Sequence, residues 1–334
     1  MLILMKGDHT KIQIDLVVEH IKKMNLTPHV IPGEHSVAIG ITGNKTSLDR
    51  KEFLIFEGVK DAIAVTKPFK LTSRDFKSSD SIVSVGDAHF GGDHFVAIAG
   101  PCAVESYEQT LRIAQGVKAR GAQLLRAGAY KPRTSPYSFQ GLGEEGLKIL
   151  ARVREVTGLP VITEAVDLDS LKLVDEYADV IQIGTRNALN YSLLKECGKC
   201  KNPVVLKRGF SSTIDEWLLA AEYIIDGGNP NVILCERGLR SFDKHTRNVL
   251  DLAAVPLIRS LSHLPIMVDP SHGTGKKELV TPMSLAAVAA GAHSIIVEVH
   301  DRPHEALSDG QQALQFTDFE ILMDRIYSLR QAIF

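Results

Sequence analysis

From residue 95 onward the chain repeats one pattern. A short segment that is apolar throughout gives way to polar residues, then to a longer stretch with apolar residues at helical spacing. Apolar, β-rich segments recur at 95–99, 123–125, 161–163, 180–183, 204–206, 232–234, 266–268 and 295–297. Helical periodicity fills most of the intervals, at 108–119, 142–156, 214–225, 249–261 and 282–290. Strands without polar alternation are buried on both faces, and their alternation with helices predicts a parallel sheet with helices packed outside it. Eight such units over residues 95–334 predict a closed (β/α)8 TIM barrel. An open, doubly wound sheet is the alternative, but no G-x-G-x-x-G turn follows the first strand to support it.

Residues 1–70 follow a different order. Strands are predicted at 1–6, 27–31, 36–42 and 62–66, and helices at 11–24 and 47–57. The first helix shows its buried face through Ile14, Val17, Val18, Ile21 and Met24, and Pro32-Gly33 supplies a turn between the middle strands. The order β-α-β-β-α-β is that of a small ferredoxin-like (ACT-like) α+β domain. Such a domain serves regulation or assembly, and its own residues leave both open. Residues 71–94 read as a linker with one alternating run at 81–85, and the doublet Gly91-Gly92 predicts a hairpin leading into the barrel.

Composition narrows the function. With 44% apolar and 23% charged residues, the 334-residue chain has an ordinary globular balance. Its formal net charge of −2 argues against a nucleic-acid or anionic-membrane binder, so any anion must be held by cations concentrated locally. No apolar run reaches transmembrane length and the N-terminus lacks a signal-peptide pattern, so a cytoplasmic location is expected. Four cysteines in this length do not make a disulfide framework, and Cys197-Gly-Lys-Cys200 reads as a surface loop rather than a redox pair.

The chemistry lies where the strands end. The segments run out into Gly100-Pro-Cys102 with Glu105 beyond, Arg126 to Ser135, Glu164, Gly184-Thr185-Arg186-Asn187 and Lys207-Arg208-Gly209. The remaining ones run into Cys235-Glu236-Arg237-Gly238, Asp269-Pro-Ser-His272-Gly273 and Glu298-Val-His300, with Asp309 further on. In a barrel these ends converge on one rim, where barrel active sites lie. Charges leaving apolar strands are costly unless paired or used. Arg126, Lys131, Arg133, Arg186, Lys207 and Arg237 suit phosphates and carboxylates. Cys102, His272, Glu298 and Asp309 form a mixed sulfur, nitrogen and oxygen set suited to a divalent transition metal. Taken singly, a cysteine or histidine at a strand end is more often a buried structural residue.

Gly100-Pro-Cys102, Lys131-Pro-Arg-Thr-Ser135, Ile183-Gly-Thr-Arg186, Leu206-Lys-Arg208, Cys235-Glu-Arg237, Asp269-Pro-Ser-His272 and Val297-Glu298 together resemble 3-deoxy-D-arabino-heptulosonate 7-phosphate (DAHP) synthase. The resemblance covers the barrel, and residues 1–70 look like the ferredoxin-like regulatory domain of the short microbial class of that family. It implies condensation of phosphoenolpyruvate with erythrose 4-phosphate, the first step of the shikimate pathway to the aromatic amino acids. It also implies a divalent cation, Mn2+ foremost with Fe2+, Zn2+, Co2+ or Cu2+ as alternatives, on Cys102, His272, Glu298 and Asp309. Arg126, Lys131, Arg186, Lys207 and Arg237 would hold phosphoenolpyruvate, with a backbone N–H contact at Thr185, where relatives commonly have alanine. Arg133 and Thr134 would take the sugar phosphate, and Lys131, Glu164 and His272 would be the catalytic residues. A homo-oligomer, with a tetramer the expectation, and an aromatic amino acid or prephenate as effector follow from the same resemblance; nucleic acid and membrane do not. Two alternatives stand beside it: 3-deoxy-D-manno-octulosonate 8-phosphate synthase, which uses arabinose 5-phosphate, and a non-catalytic barrel that senses aromatic metabolites.

Overall fold

The computed structural model describes residues 1–33, 36–44, 48–63 and 68–333, in two compact units, Met1–Ser79 and Asp80–Phe334. In the first unit the order is β1 (Leu2–Met5), α1 (Lys11–Lys23), β2 (Thr27–Pro32), β3 (Val37–Thr42), α2 (Lys51–Leu54) and β4 (Val59–Ile63). The sheet runs β2-β3-β1-β4 with antiparallel pairs, so the ferredoxin-like order read from the sequence is the one formed. Helix α1 starts at a reciprocal cap, in which Thr10 and Gln13 satisfy each other's backbone N–H groups. It buries Val17 and Ile21 against Ile3, Met5, Ile39, Ile41 and Phe53. Two expected boundaries move. The second helix spans four residues rather than 47–57, and the last strand begins at Val59, three residues early; its expected end at 64–66 lies outside the described residues.

The second unit opens with a hairpin, β5 (Val83–Val85) and β6 (Ala88–Phe90). Its turn falls at Gly86-Asp87, where Gly86 takes a φ of 56°, and not at Gly91-Gly92 as the doublet predicted. The eight strands that follow are β7 (Val96–Gly100), β8 (Leu124–Arg126), β9 (Val161–Ala165), β10 (Val180–Ile183), β11 (Val204–Lys207), β12 (Val232–Glu236), β13 (Ile266–Val268) and β14 (Ser294–Glu298). All pair in parallel, and β14 pairs with β7 to close the barrel, which excludes the open sheet. The interior is filled by Val96, Ile98, Leu124, Ile162, Val180, Val205, Ile233, Cys235, Met267 and Ile296. Val83, Val85, Ala88 and Phe90 of the hairpin join this same cluster, so the hairpin expected to lead into the barrel also packs in its core.

Around the strands stand α3 (Tyr107–Lys118), α4 (Glu144–Thr157), α5 (Leu168–Tyr177), α6 (Tyr191–Cys197), α7 (Ile214–Asp226), α8 (Ala254–Leu261), α9 (Pro270–Thr274), α10 (Lys277–Ala289) and α11 (Phe316–Ile333). Helix α8 starts five residues later than its periodicity predicted. Val249 is held extended opposite Leu239, and Asp251 is drawn aside by Arg208. Helix α10 starts five residues earlier and carries Pro282 inside, at the loss of one backbone hydrogen bond. Cys197-Gly-Lys-Cys200 is not an exposed loop. Cys197 is a buried residue at the end of α6 and Cys200 is half-buried, and burial pushes both thiols up, Cys200 to about 12. All four cysteines are free. No helix among the described residues is long and apolar enough to cross a membrane.

Candidate active site at the barrel rim

Of the polar residues singled out at the strand ends, Arg126, Lys131, Arg133, Glu164, Arg186, Lys207, Arg237, His272 and Asp309 line one cleft. Cys102 and Glu298 lie beside His272 and Asp309, and Cys235 packs in the barrel interior. Several are the last residues of strands rather than loop residues: Arg126 ends β8, Lys207 ends β11 and Glu298 ends β14. Strand geometry therefore fixes their backbones. Gly100, at the end of β7, is required by close packing: a Cβ there would lie 2.1 Å from the carbonyl oxygen of Arg126. The chain can then turn to bring Cys102 over the barrel mouth.

Cys102, His272, Glu298 and Asp309 converge, with candidate ligand atoms all within 4.8 Å of one another. The Asp269-Pro-Ser-His272 motif builds this corner. Pro270 starts α9, and Asp269 caps it by accepting from the His272 backbone N–H at 3.0 Å. The other oxygen of Asp269 takes His272 Nδ1 at 2.8 Å, and Ser271 Oγ accepts from the Glu298 backbone N–H at 3.0 Å. With Nδ1 donating to Asp269, His272 turns Nε2 towards Glu298 Oε1, 3.1 Å away. Glu298 is further held by Arg126 Nη1 at 2.9 Å and by Gln312 Nε2 at 2.6 Å. Lys131 Nζ lies 2.9 Å from Cys102 Sγ, and Asp309 Oδ2 lies 3.6 Å from the same sulfur. Burial opposes the charge on His272, but the carboxylates of Asp269 and Glu298 outweigh it and raise its pKa to about 9. Burial likewise opposes ionisation of Glu298 and Asp269, and the facing His272 together with the nearby cations holds both well below the usual carboxylate range. This is a donor set with supporting hydrogen bonds already in place, of the kind that orients metal ligands.

Next to it lies a cleft of ≈ 260 Å3. Its lining holds Arg126, Lys131, Arg133, Arg186, Lys207, Arg237 and Arg247, against the carboxylates of Glu164 and Asp309. A chain of net charge −2 thus gathers seven cations around two carboxylates in one cavity. Thr134, Thr185 and His272 also line it, so every residue expected to bind substrate or act in catalysis does so. The cations are not equivalent. Arg126 is engaged by Glu298, and Lys207 by Asp269 at 2.6 Å. Arg237 Nη1 and Thr185 Oγ1 are buried with no hydrogen-bond partner among the described residues. Buried donors without a partner are costly, and these two belong to residues that line the cationic cleft. The ring of Phe210 supports the guanidinium groups of Arg186 and Arg237 at 5.9 and 5.0 Å from its centroid.

The model of the family described as "DAHP synthetase I family" matches residues 73–332, and that of the "DAHP synthase ferredoxin-like domain" matches residues 1–67. The chain belongs to the DAHP synthetase I family. A phospho-2-dehydro-3-deoxyheptonate aldolase of Thermotoga maritima is 48% identical over 333 residues, covering 100% of this chain and 98% of its own length. The crystal structure of that DAHP synthase superposes with a TM-score of 0.79 over 99% of this chain and 97% of its own. A 2-dehydro-3-deoxyphosphooctonate aldolase of Syntrophobacter fumaroxidans is 30% identical over 261 residues, covering 73% of this chain and 90% of its own length. The octonate enzyme is the more distant of the two. It matches only part of the chain, whereas the Thermotoga DAHP synthase matches both units.

Several residues of this family site escaped the sequence reading. Gln182 lies in the apolar run of β10, yet lines the cleft and donates to Glu164 at 3.1 Å. Its polarity inside a buried strand was a usable signal. Arg247 sits in a polar loop with nothing to mark it, and pairs with Asp309 at 3.6 Å. Arg208 was legible as a cation but not as a buried anchor. It comes directly after Lys207 at the end of β11, and its Nη1 bonds Glu236 and Asp251, each at 2.9 Å.

Proposed function

We propose that this protein catalyses the condensation of phosphoenolpyruvate with erythrose 4-phosphate and water, giving 3-deoxy-D-arabino-heptulosonate 7-phosphate and phosphate. The observation that carries the reading is a cleft lined by seven cations beside the Cys102, His272, Glu298 and Asp309 donor cluster, with His272 and Asp309 common to both. Two phosphorylated substrates repel each other in water, and a cleft of this charge holds them together. In this reading Lys207, Arg186 and Arg237, with Thr185, hold phosphoenolpyruvate, and Arg126 and Lys131 complete that subsite. Arg133 and Thr134 hold the acceptor's phosphate. Cys102, His272, Glu298 and Asp309 would hold a divalent cation, Mn2+ in our assignment, which would supply Lewis acidity towards the acceptor's carbonyl.

The chain's own groups manage the protons. Lys131 keeps its ammonium proton: burial works against the charge, but Cys102 and Glu298 together outweigh it. Lys131 is thereby the donor to the alkoxide that forms as C3 of phosphoenolpyruvate bonds to the aldehyde carbon. Glu164, held by Gln182, orients the water that adds to C2, after which phosphate leaves by C–O cleavage. The 1–79 unit, which carries the family's ferredoxin-like domain, binds an aromatic amino acid or prephenate as effector, in a cytoplasmic homo-oligomer.

The test follows the ultraviolet absorbance of phosphoenolpyruvate with chelator-treated protein resupplied with Mn2+. Metal-dependent loss with erythrose 4-phosphate, and not with arabinose 5-phosphate, is the expected result. Loss mainly with arabinose 5-phosphate would overturn the acceptor assignment, and loss with neither would leave a non-catalytic sensor. Titration with each aromatic amino acid and with prephenate tests the effector; indifference to all of them would make the 1–79 unit an assembly device.

A further inference from the structure

Ser308 belongs to none of the groups assigned above, yet it joins two of them. It lies in the loop between β14 and α11, one residue before Asp309, and is 4% exposed. Its Oγ is 3.1 Å from Cys102 Sγ and accepts from Arg133 Nη1 at 2.5 Å. The two partners reach it from the loops after β7 and β8. One belongs to the donor cluster and the other to the acceptor-phosphate subsite. We propose that Ser308 is a positioning residue that couples cation binding at Cys102 to the seating of the acceptor's phosphate on Arg133. This inference rests on the metal and acceptor assignments of the proposed function and extends them.

The coupling follows from what one hydroxyl can do. A hydroxyl has a single hydrogen to give and two lone pairs to offer. Arg133 has only donors, so towards it Ser308 must accept. A cation on Cys102 leaves the sulfur as an anionic acceptor, which draws the Ser308 hydrogen to Sγ and turns the lone pairs to Arg133. The guanidinium is then held where the phosphate arrives, and less side-chain freedom is left to lose on binding. By linkage, the seated phosphate favours the cation by the same factor.

The bland alternative is a buried hydroxyl that merely finds partners. The loop, however, is anchored without it. The Leu307 backbone N–H donates to Glu105 Oε1 at 2.8 Å, and Leu314 bonds Glu298 O and His300 N, each at 2.9 Å. Removing the hydroxyl therefore leaves the loop in place and cuts only the link.

The experiment is calorimetric titration of the metal-stripped full chain with Mn2+, without and with erythrose 4-phosphate. The parent protein is expected to bind Mn2+ about five-fold or more tightly with the sugar phosphate present, the lower end of ordinary coupling between sites. In Ser308→Ala that ratio is expected to fall about two-fold or more, by the share that Ser308 carries beyond any direct contact of the acceptor with the cation, while Mn2+ alone still binds. Arg133→Ala should lower the ratio too, and the double variant should lower it no further. A ratio unchanged in Ser308→Ala would overturn the coupling and leave the proposed function standing. Failure of the parent protein to bind Mn2+ would remove the metal assignment and the coupling with it.

Discussion

Asp269 shows how much one carboxylate can organise. Buried, it caps α9, fixes the imidazole of His272 and pairs with Lys207. Asp269→Asn is expected to weaken Mn2+ binding about 10–100-fold, the usual effect of losing a ligand's supporting carboxylate, as read by calorimetry. The raised pKa of His272 carries a pH dependence of definite sign. The metal-free imidazole is protonated below about 9, and that proton must leave before Nε2 can bind a cation. Mn2+ affinity should therefore rise with pH through the neutral range and level off near 9, with proton release seen in buffers of different ionisation enthalpy. For folding of the metal-free chain the sign is opposite. A pKa raised from 6.5 to about 9 gives stability that is whole below the unfolded value and lost as pH rises through 9. Two substitutions test the division of roles. Cys102→Ala is expected to abolish metal-dependent turnover. Arg133→Ala should raise KM for erythrose 4-phosphate at least ten-fold more than for phosphoenolpyruvate, since it removes a charge-assisted contact worth about 1.5–3 kcal/mol from one subsite only.

Among the elements, the β5–β6 hairpin matters more than its length suggests. Phe90 and its neighbours pack in the same buried cluster as the barrel-strand side chains. Phe90→Ala should cost about 3–5 kcal/mol, the range for a fully buried aromatic, measured as a loss in denaturant-induced unfolding of the barrel unit. The hairpin was partly legible, because Ser81 to Val85 alternates, but its turn was not. Gly91-Gly92 looks like a turn doublet, whereas the chain turns at Gly86-Asp87. Gly91 is instead needed where the hairpin leaves, since a Cβ there would meet Ser81 O at 2.2 Å. The same override shortens α8. Local periodicity favoured a helix from 249, but the helix starts at Ala254 and Asp251 accepts from buried Arg208 at 2.9 Å.

On the scale of the molecule, each unit carries its own buried cluster: Ile3, Met5, Ile21, Ile39 and Phe53 in one, the barrel interior in the other. A chain of residues 80–334 should therefore fold alone, shown by a cooperative thermal transition. All the site residues lie in that unit, so it should keep turnover and lose any response to aromatic effectors. Loss of turnover in a folded 80–334 chain would show that residues 1–79 are needed for catalysis itself.

The sequence by itself determined the two fold classes, the order of the eight strands and the residue types at their ends. These depend on local properties: period-free apolar runs define buried strands, and a charge next to such a run stands out at once. Only the tertiary structure decided which charges are spent on one another. Arg126 and Lys207 look as free in the sequence as Arg237, yet the first two are paired and the third has a buried donor without a partner among the described residues. It also decided that Cys102 and Asp309, 207 residues apart, face each other at 3.6 Å, with Ser308 and Gln312 drawn in beside them. Closure of a barrel brings its first and last strands together, and no local pattern along the chain records which side chains that closure will make neighbours.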